Sequence, residues 1–420
     1  MMPRFAIPQE RLQKEHLRDL MEEQEALCVF DAAAPVPAHS MSGERVVLII
    51  HFYYMDIFER YLPYLASVPE EVDLCLTTND ETRAATIRAK AGSILARHMR
   101  GGVRVCPPRG RELSALFLGC RDLFESYDII GFLHDKKSIR DDDPEGRAGE
   151  GFSHLLWESM LASTSYIRQV LRTFDDEPQV GLLVPFPPMN GPYLAVSENF
   201  WTCCFLQARD FLGRIGVHVP LDAAVPPVAL GSAFWARTEI FQKLLAYPMR
   251  LEDFPAEPVP IDGTFSHVLE RIFPYLAQDV GQMTCYLAPL DDMRHAYLQS
   301  RRQYYPLKRR CEQAEKDRDM YHQAADERLA ILRGYEATIH ERDATIQSRD
   351  AAIHERDAMI RSREATIHAY DAAIHTLEEA AQKREERLQS LLTSRSWRIT
   401  APLRTLGGWW RHLCGKRGAE

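Results

Sequence analysis

The 420-residue sequence predicts an α/β domain, Rossmann-like in its alternation, followed by a long coiled-coil helix. Two observations predict this. Short apolar runs such as Arg45 to His51 (RVVLIIH) alternate with helical segments over the first three hundred residues, the pattern of parallel βαβ units. From Lys308 onward the pattern becomes a seven-residue unit: ATIHERD, ATIQSRD, AAIHERD, AMIRSRE, ATIHAYD, AAIHTLE. A sustained heptad repeat is the signature of a coiled coil.

In order, Met1 to Val29 reads as a charged leading helix and Ala32 to Gly43 as a Pro-rich linker, so residues 1–43 stand apart from the domain. Arg45 to His51 is a buried strand and Asp56 to Val68 an amphipathic helix. Val72 to Thr77 is a second strand, Glu81 to His98 a helix, Val103 to Cys106 a short strand, and Glu112 to Glu125 a helix. Ile129 to Leu133 (IIGFL) is a fourth strand. Asp141 to Gly151, acidic and Gly-rich, is expected to be a surface loop, and Leu155 to Phe174 a helix. Val180 to Val184 is a strand, with a Pro-rich stretch after it from Pro185 to Pro192. Leu230 to Ala236 reads as a strand, and Thr238 to Ala246 and Thr264 to Leu276 as helices. The domain so defined runs over 44–302.

The coiled coil is expected over 308–393. Leu332, Ile339, Ile346, Ile353, Ile360, Ile367 and Ile374 recur at every seventh position. With these at heptad position a, the d positions are Arg342, Arg349, Arg356 and Arg363, and become Tyr370, Leu377 and Leu391 later. An a-only stripe is narrow, so the centre is marginal as a coil, but self-association into a homo-oligomer is expected. About 80 helical residues at ~1.5 Å each give a rod on the order of 120 Å. The closing 394–420 is basic and Trp-rich. Trp397, Ile399, Leu403, Leu406, Trp409, Trp410 and Leu413 are interleaved with Arg395, Arg398, Arg404, Arg411, Lys416 and Arg417, with only Glu420 opposing. That mixture predicts binding to an anionic membrane surface, in two pieces broken by Pro402 and Gly407-Gly408.

Composition narrows the function. Hydrophobic residues make up 45%, enough for a sizeable core, and the formal charge of −9 argues against a general nucleic-acid binder. Nine cysteines, with Cys203 and Cys204 adjacent and no C-x-x-C pair, read as reduced, mostly buried thiols of a cytosolic protein. The first 25 residues carry no apolar signal region, and no run of 18 apolar residues occurs. The expected location is therefore cytoplasmic, peripheral to the inner face of the cytoplasmic membrane.

Four groups of residues could carry chemistry. Arg109-Gly110-Arg111-Glu112 places a turn and two guanidinium groups ahead of a helix, where a diphosphate can sit; two solvated arginines on a turn explain it equally well. His134-Asp135-Lys136-Lys137 follows the fourth strand, and ligands of open α/β sheets bind at the carboxyl ends of strands. The two lysines suit phosphate, whereas Asp135 alone is a poor Mg²⁺ site. Asp262, before Gly263-Thr264 and a helix, either caps that helix or serves as a general base. His51, Tyr53 and Tyr54 end the first strand, where an aromatic ring stacks on a base or packs at the rim.

Together these pieces resemble the rhamnan synthesis protein F family. The resemblance covers Val46 to Leu287 and rests on His51-Phe52-Tyr53-Tyr54, Pro108-Arg109-Gly110-Arg111-Glu112, Leu133-His134-Asp135-Lys136-Lys137-Ser138, Gly231-Ser232-Ala233-Phe234-Trp235-Ala236-Arg237 and Asp262-Gly263-Thr264, continued by His267, Leu269, Glu270 and Arg271. Pro108, Glu112 and Asp135 depart from the usual family residues. The resemblance implies transfer of rhamnosyl units, with dTDP-L-rhamnose the expected donor and a lipid-linked polysaccharide or O-antigen the acceptor. The order of elements is also similar to inverting glycosyltransferases of the GT-A fold. By that likeness His51, Tyr53, Tyr54, Asn79 and Asp80 hold the nucleotide, Asp262 or Glu257 is the base, and Gly231, Ser232 and Trp235 line the substrate site. His134 and Lys136 stand where those enzymes carry a metal-binding Asp-x-Asp. Cations in place of carboxylates imply that Arg109, Arg111, Lys136 and Lys137 offset the leaving diphosphate, with Mg²⁺ or Mn²⁺ possible but not favoured. The lost carboxylates also keep open a different class, a non-catalytic scaffold that organises glycan-synthesis enzymes at the membrane.

Overall fold

A computed structural model describes residues 5–37, 43–137, 147–187, 201–224, 231–256, 259–260 and 262–414, with side chains described except at 147–150 and 409–414. The chain divides into two units, Met1–Arg309 and Arg310–Glu420.

The first unit is built on one eight-stranded sheet, in the order β1-β8-β6-β7-β5-β2-β3-β4. Its strands are β1 (Leu27–Phe30), β2 (Val46–His51), β3 (Asp73–Thr78), β4 (Gly102–Val105), β5 (Ile129–His134), β6 (Val180–Pro185), β7 (Phe234–Arg237) and β8 (Met283–Pro289). All neighbours are parallel except β7, which runs antiparallel between β5 and β6. The central strands are apolar along their whole length: every residue of β2 and of β6 is buried. This is expected of parallel strands covered on both faces. In β5 a glycine is needed where the strand meets β7, because a Cβ on Gly131 would lie 2.6 Å from the buried Trp235 ring. β7 also packs on an aromatic cluster, in which Phe234 sits 5.2 Å from Phe273 and 5.5 Å from Phe241, centroid to centroid.

The leading segment differs from the single helix expected. It forms α1 (Gln9–Lys14), α2 (Leu17–Glu23) and β1, and β1 pairs with β8 far along the chain. Gln278 donates at 2.7 Å to the carbonyls of both Leu12 and Glu15, and Leu12 and Leu20 are fully buried. A boundary at residue 43 therefore cuts through the sheet. A four-residue strand has too little periodicity to be seen locally; only its partner reveals it.

Helices α3 (Leu62–Ser67) and α4 (Glu81–Leu95) follow β2 and β3, and α4 is capped by Asp80, which accepts from Arg83 N–H. After β4 the expected single helix is α5 (Arg111–Ser114), a π-helical turn (Ala115–Gly119) and α6 (Arg121–Ser126). The 155–174 segment is two helices, α7 (Arg147–Leu161) and α8 (Thr164–Asp176), broken where Ser163 caps the second. Helix thus begins inside the expected 141–151 loop, whose first six residues lie outside the described residues. α9 (Phe205–Arg214) was not foreseen; α10 (Gln242–Ala246) and α11 (Phe265–Asp279) were.

From Leu290 a single helix, α12, continues for 104 residues to Thr393, directly after β8. Its heptad isoleucines, Ile339 to Ile374, are each 52–56% exposed. α13 (Arg395–Ile399), capped by Ser394, and α14 (Ala401–Cys414) complete the second unit. The break falls at Thr400. Pro402 lies in the first turn of α14, where its missing N–H costs nothing, and Gly407-Gly408 stay helical. Among the described residues no helix is long and apolar enough to cross a membrane.

Candidate functional site

The strand order reverses at β2. From β2 the chain builds outward through β3 and β4, then returns to place β5 on the other side. Such a switch point opens a crevice at the carboxyl ends of the two strands, the ligand position of doubly wound sheets. His51 and His134 are the last residues of β2 and β5, and they are register partners.

His51 is 3% exposed, and its Nδ1 lies 2.9 Å from Thr77 Oγ1. Burial pushes its imidazole down to about 4, so the ring is neutral near pH 7. Both ring nitrogens of His134 face carbonyl oxygens, Nδ1 that of Asp135 at 2.8 Å and Nε2 that of Gly231 at 3.2 Å. Asp135 is buried and turned inward: it accepts from Tyr53 N–H at 3.0 Å and Tyr54 N–H at 2.6 Å. Burial raises its carboxyl to about 6 despite these two donors. Asp135 thus anchors the loop after β2. Lys136 lies over the Phe152 ring at 4.8 Å, and Lys137 pairs with Asp56 at 2.5 Å.

These residues do not fit a hard divalent ion. Mg²⁺ and Mn²⁺ want free oxygen ligands, yet the Asp135 oxygens are taken by backbone N–H groups and the neighbouring position is a lysine.

Glu112 is a site residue that the motif concealed. From the first turn of α5 it approaches Ser232 Oγ at 3.5 Å. Burial acts to raise its pKa, but His134, a backbone N–H, His51 and Lys136 outweigh it and hold the carboxylate below its usual range. The turns on either side are left-handed: Gly110 and Arg111 at φ 78° and 53°, Gly231 and Ser232 at φ 79° and 49°. Positive φ at a non-glycine residue stores strain, and such strain concentrates at functional sites. Gly110 has no room for a side chain, since a Cβ would lie 2.5 Å from Phe254. Gly231 is held from both sides, its N–H donating to Glu270 and its carbonyl accepting from His134.

A second cluster adjoins the first through Gly110, whose carbonyl accepts from Ser266 Oγ at 3.4 Å. Its centre is Asp262, which pairs with Arg271 at 3.2 Å, lies 3.7 Å from His267 Nδ1 and accepts from Thr202 Oγ1. Desolvation works against ionisation, but Thr202, Gly263 N–H, Arg271 and His267 win, so its carboxyl titrates below the ordinary range. Asp262 does not cap α11: Thr264 and His267 form that cap, and Gly263, at φ 78°, stands outside the helix. Cys203, Cys204 and Asp262 place ligand atoms within 4.8 Å of one another, but Arg271 already supplies the carboxylate's cation.

Three expected site residues do other work. Trp235 is fully buried in β7 with its N–H toward Met160 O, so it cannot touch a ligand. Arg109 donates to the carbonyls of Phe254 at 2.8 Å and Glu252 at 3.2 Å and staples that loop. Asp80 is a helix cap bonded to Arg83. Asn79 is half-buried beside His51, and Tyr53 is exposed with the Arg83 guanidinium 4.5 Å above its ring. Glu257 lies outside the described residues.

The chain is thus an α/β protein with a polar cluster at a topological switch point. It belongs to the rhamnan synthesis protein F family, whose model matches residues 11–282. Two sequences of the protein WxcX, from two strains of Xanthomonas campestris pv. campestris, are 28% identical over 240 residues. That stretch is 57% of this chain and 32% of WxcX, so the chain spans about a third of the curated relatives it matches. Among solved structures, a mannosyltransferase from Pyrobaculum calidifontis, in complex with GDP-Man and Mn²⁺, is similar at 12% identity and a TM-score of 0.29. The overlap covers 67% of this chain and 61% of that one.

Proposed function

We propose that the protein is a glycosyltransferase that uses a nucleotide-sugar donor. The observation that carries this reading is the pair His51 and His134, register partners at the switch point, ringed by the left-handed turns Gly110-Arg111 and Gly231-Ser232. Membership of a family named for rhamnan synthesis supports the same reading. A rhamnosyl donor, dTDP-L-rhamnose, is the proposed specificity, and a hydroxyl of a lipid-linked glycan the acceptor.

In this mechanism the nucleobase rests near Tyr53 and Asn79, and the diphosphate lies over the Gly110-Arg111 turn. Arg111 and Lys136 stabilise the departing diphosphate, so that no divalent ion is needed. Asp262 takes the acceptor proton as the sugar is transferred with inversion, and Arg271 and His267 orient its carboxylate. The pairing lowers its basicity, so its contribution rests on placement. The basic tail holds the protein at an anionic membrane surface, where a lipid-linked acceptor is found. The test is incubation of purified protein with a panel of nucleotide sugars and a lipid-linked acceptor, read by mass spectrometry. Donor binding without transfer or hydrolysis for every sugar would favour the scaffold reading.

A further inference from the structure

The helix α12 carries a charge arrangement that its own chain leaves unsatisfied. Arg342, Arg349, Arg356 and Arg363 flank the isoleucine stripe at position d. On a helix, side chains three and four residues apart are neighbours, and adjacent ones do not face each other. At those spacings each of the four arginines meets only Ile, Thr, Ala or Met. The acids Asp343, Asp350, Asp357 and Glu364 stand at position e, on the other flank of the stripe. Asp343 and Asp350 have no Arg or Lys at those spacings, and Asp357 and Glu364 have only Arg361. Among the described residues no ion pair forms within 336–374, not even between adjacent residues, as Arg318 and Asp319 do earlier in α12. Elsewhere the chain uses such spacings freely, as in Arg11–Glu15 and Arg18–Glu22.

We infer that the occupant of this face is the same helix of a second copy, parallel and in register, with each d arginine paired to the e carboxylate of its partner. In a parallel coil the d side chain packs beside the partner's e position. Alignment in register also stacks isoleucine on isoleucine, whereas an antiparallel pair would set every isoleucine against an arginine. The arginine stems lie along the isoleucines while their guanidinium groups reach outward to the acids. Repeated ladders of this kind fix orientation and partner where the apolar seam alone is too narrow. The inference rests on the reading of 308–393 as a self-associating coiled coil.

Charge exchange in the full-length protein tests it. One variant carries Arg342→Glu, Arg349→Glu, Arg356→Glu and Arg363→Glu; the other carries Asp343→Arg, Asp350→Arg, Asp357→Arg and Glu364→Arg. Sedimentation equilibrium should find each alone weakened in self-association by tenfold or more, and an equimolar mixture should restore a mixed assembly. Circular dichroism of the mixture confirms that the helices are formed. Self-association of either variant at wild-type strength, or a mixture that stays dissociated, overturns the arginine–carboxylate pairing and leaves the coil standing. A wild-type chain that is monomeric at all concentrations overturns the coiled coil itself. Cys311, exposed and three heptads before Leu332, reports the orientation. In a Cys203→Ser, Cys414→Ser background, mild diamide oxidation should cross-link parallel copies through Cys311, and absence of that cross-link in an associated protein overturns the parallel alignment.

Discussion

Asp262 sits between an arginine, a histidine and a threonine hydroxyl, so its replacement by asparagine keeps the shape and removes the charge. Asp262→Asn should lower transfer by about 10² to 10⁴, the span associated with a lost general base. Turnover within a few-fold of wild type would shift the role to Glu257 or to Glu112. The metal reading is also tested here. With Asp135 and His134 committed to backbone groups, transfer should continue in EDTA; loss that Mg²⁺ or Mn²⁺ restores would place a metal site elsewhere. His51 and Asp135 give the fold a pH signature of opposite signs. His51 is depressed in the folded protein, to about 4, so its contribution to stability is present above pH 6.5 and is lost as pH falls toward 4. Asp135 is raised, to about 6, so its contribution is present below pH 4 and is lost as pH rises through 6. In His51→Gln the first of these disappears. Urea unfolding at pH 7 and pH 4 should show the wild type losing on the order of 3 kcal/mol more than the variant between the two. Equal losses would mean that the imidazole is not held neutral.

The turns that shape the crevice are elements with little tolerance. Gly110→Ala must place a Cβ in the Phe254 ring and hold φ near 78°, a combination that should cost about 1–3 kcal/mol and weaken donor binding. A variant with unchanged melting and donor affinity would show that the turn relaxes freely. The sequence pointed to Arg109-Gly110-Arg111 as a phosphate turn, yet spacing could not tell the two arginines apart. Arg109 folds back on the 252–254 loop, and the difference is set by residues more than 140 positions away. The tail is a second such element. Arg404 lies over the Trp397 ring, 3.4 Å from its centroid, and Leu403 and Leu406 are exposed. The side chains of Trp409, Trp410, Arg411 and Leu413, and all of Lys416, Arg417 and Glu420, lie outside the described residues. Removal of 397–420 should abolish flotation with anionic liposomes, while equal flotation of both forms would show that the anchor lies elsewhere.

For the molecule as a whole, the two units predict separable behaviour. Deletion of residues 308–420 should leave a folded monomer that binds nucleotide sugar, checked by light scattering and by thermal shift with donor; an oligomer would place an interface on the sheet unit. What the sequence determined by itself was whatever local pattern encodes. The apolar runs of β2, β3, β5 and β6, the helices between them, the heptad helix and the residues at the ends of β2 and β5 all follow from periodicity and punctuation. What only the tertiary structure decided was pairing over long distances. β1 is four residues that become a strand because β8 lies beside them. Trp235 leaves the site for the core because Gly131 makes space for it. Asp135 becomes an anchor because the 53–54 backbone turns its N–H groups inward. Asp262 is joined to Thr202, and Glu112 to the two histidines, only once the sheet is assembled. Short-range pattern reports which face of an element is apolar; the partner of a buried charge depends on contacts between distant segments, which no local window contains.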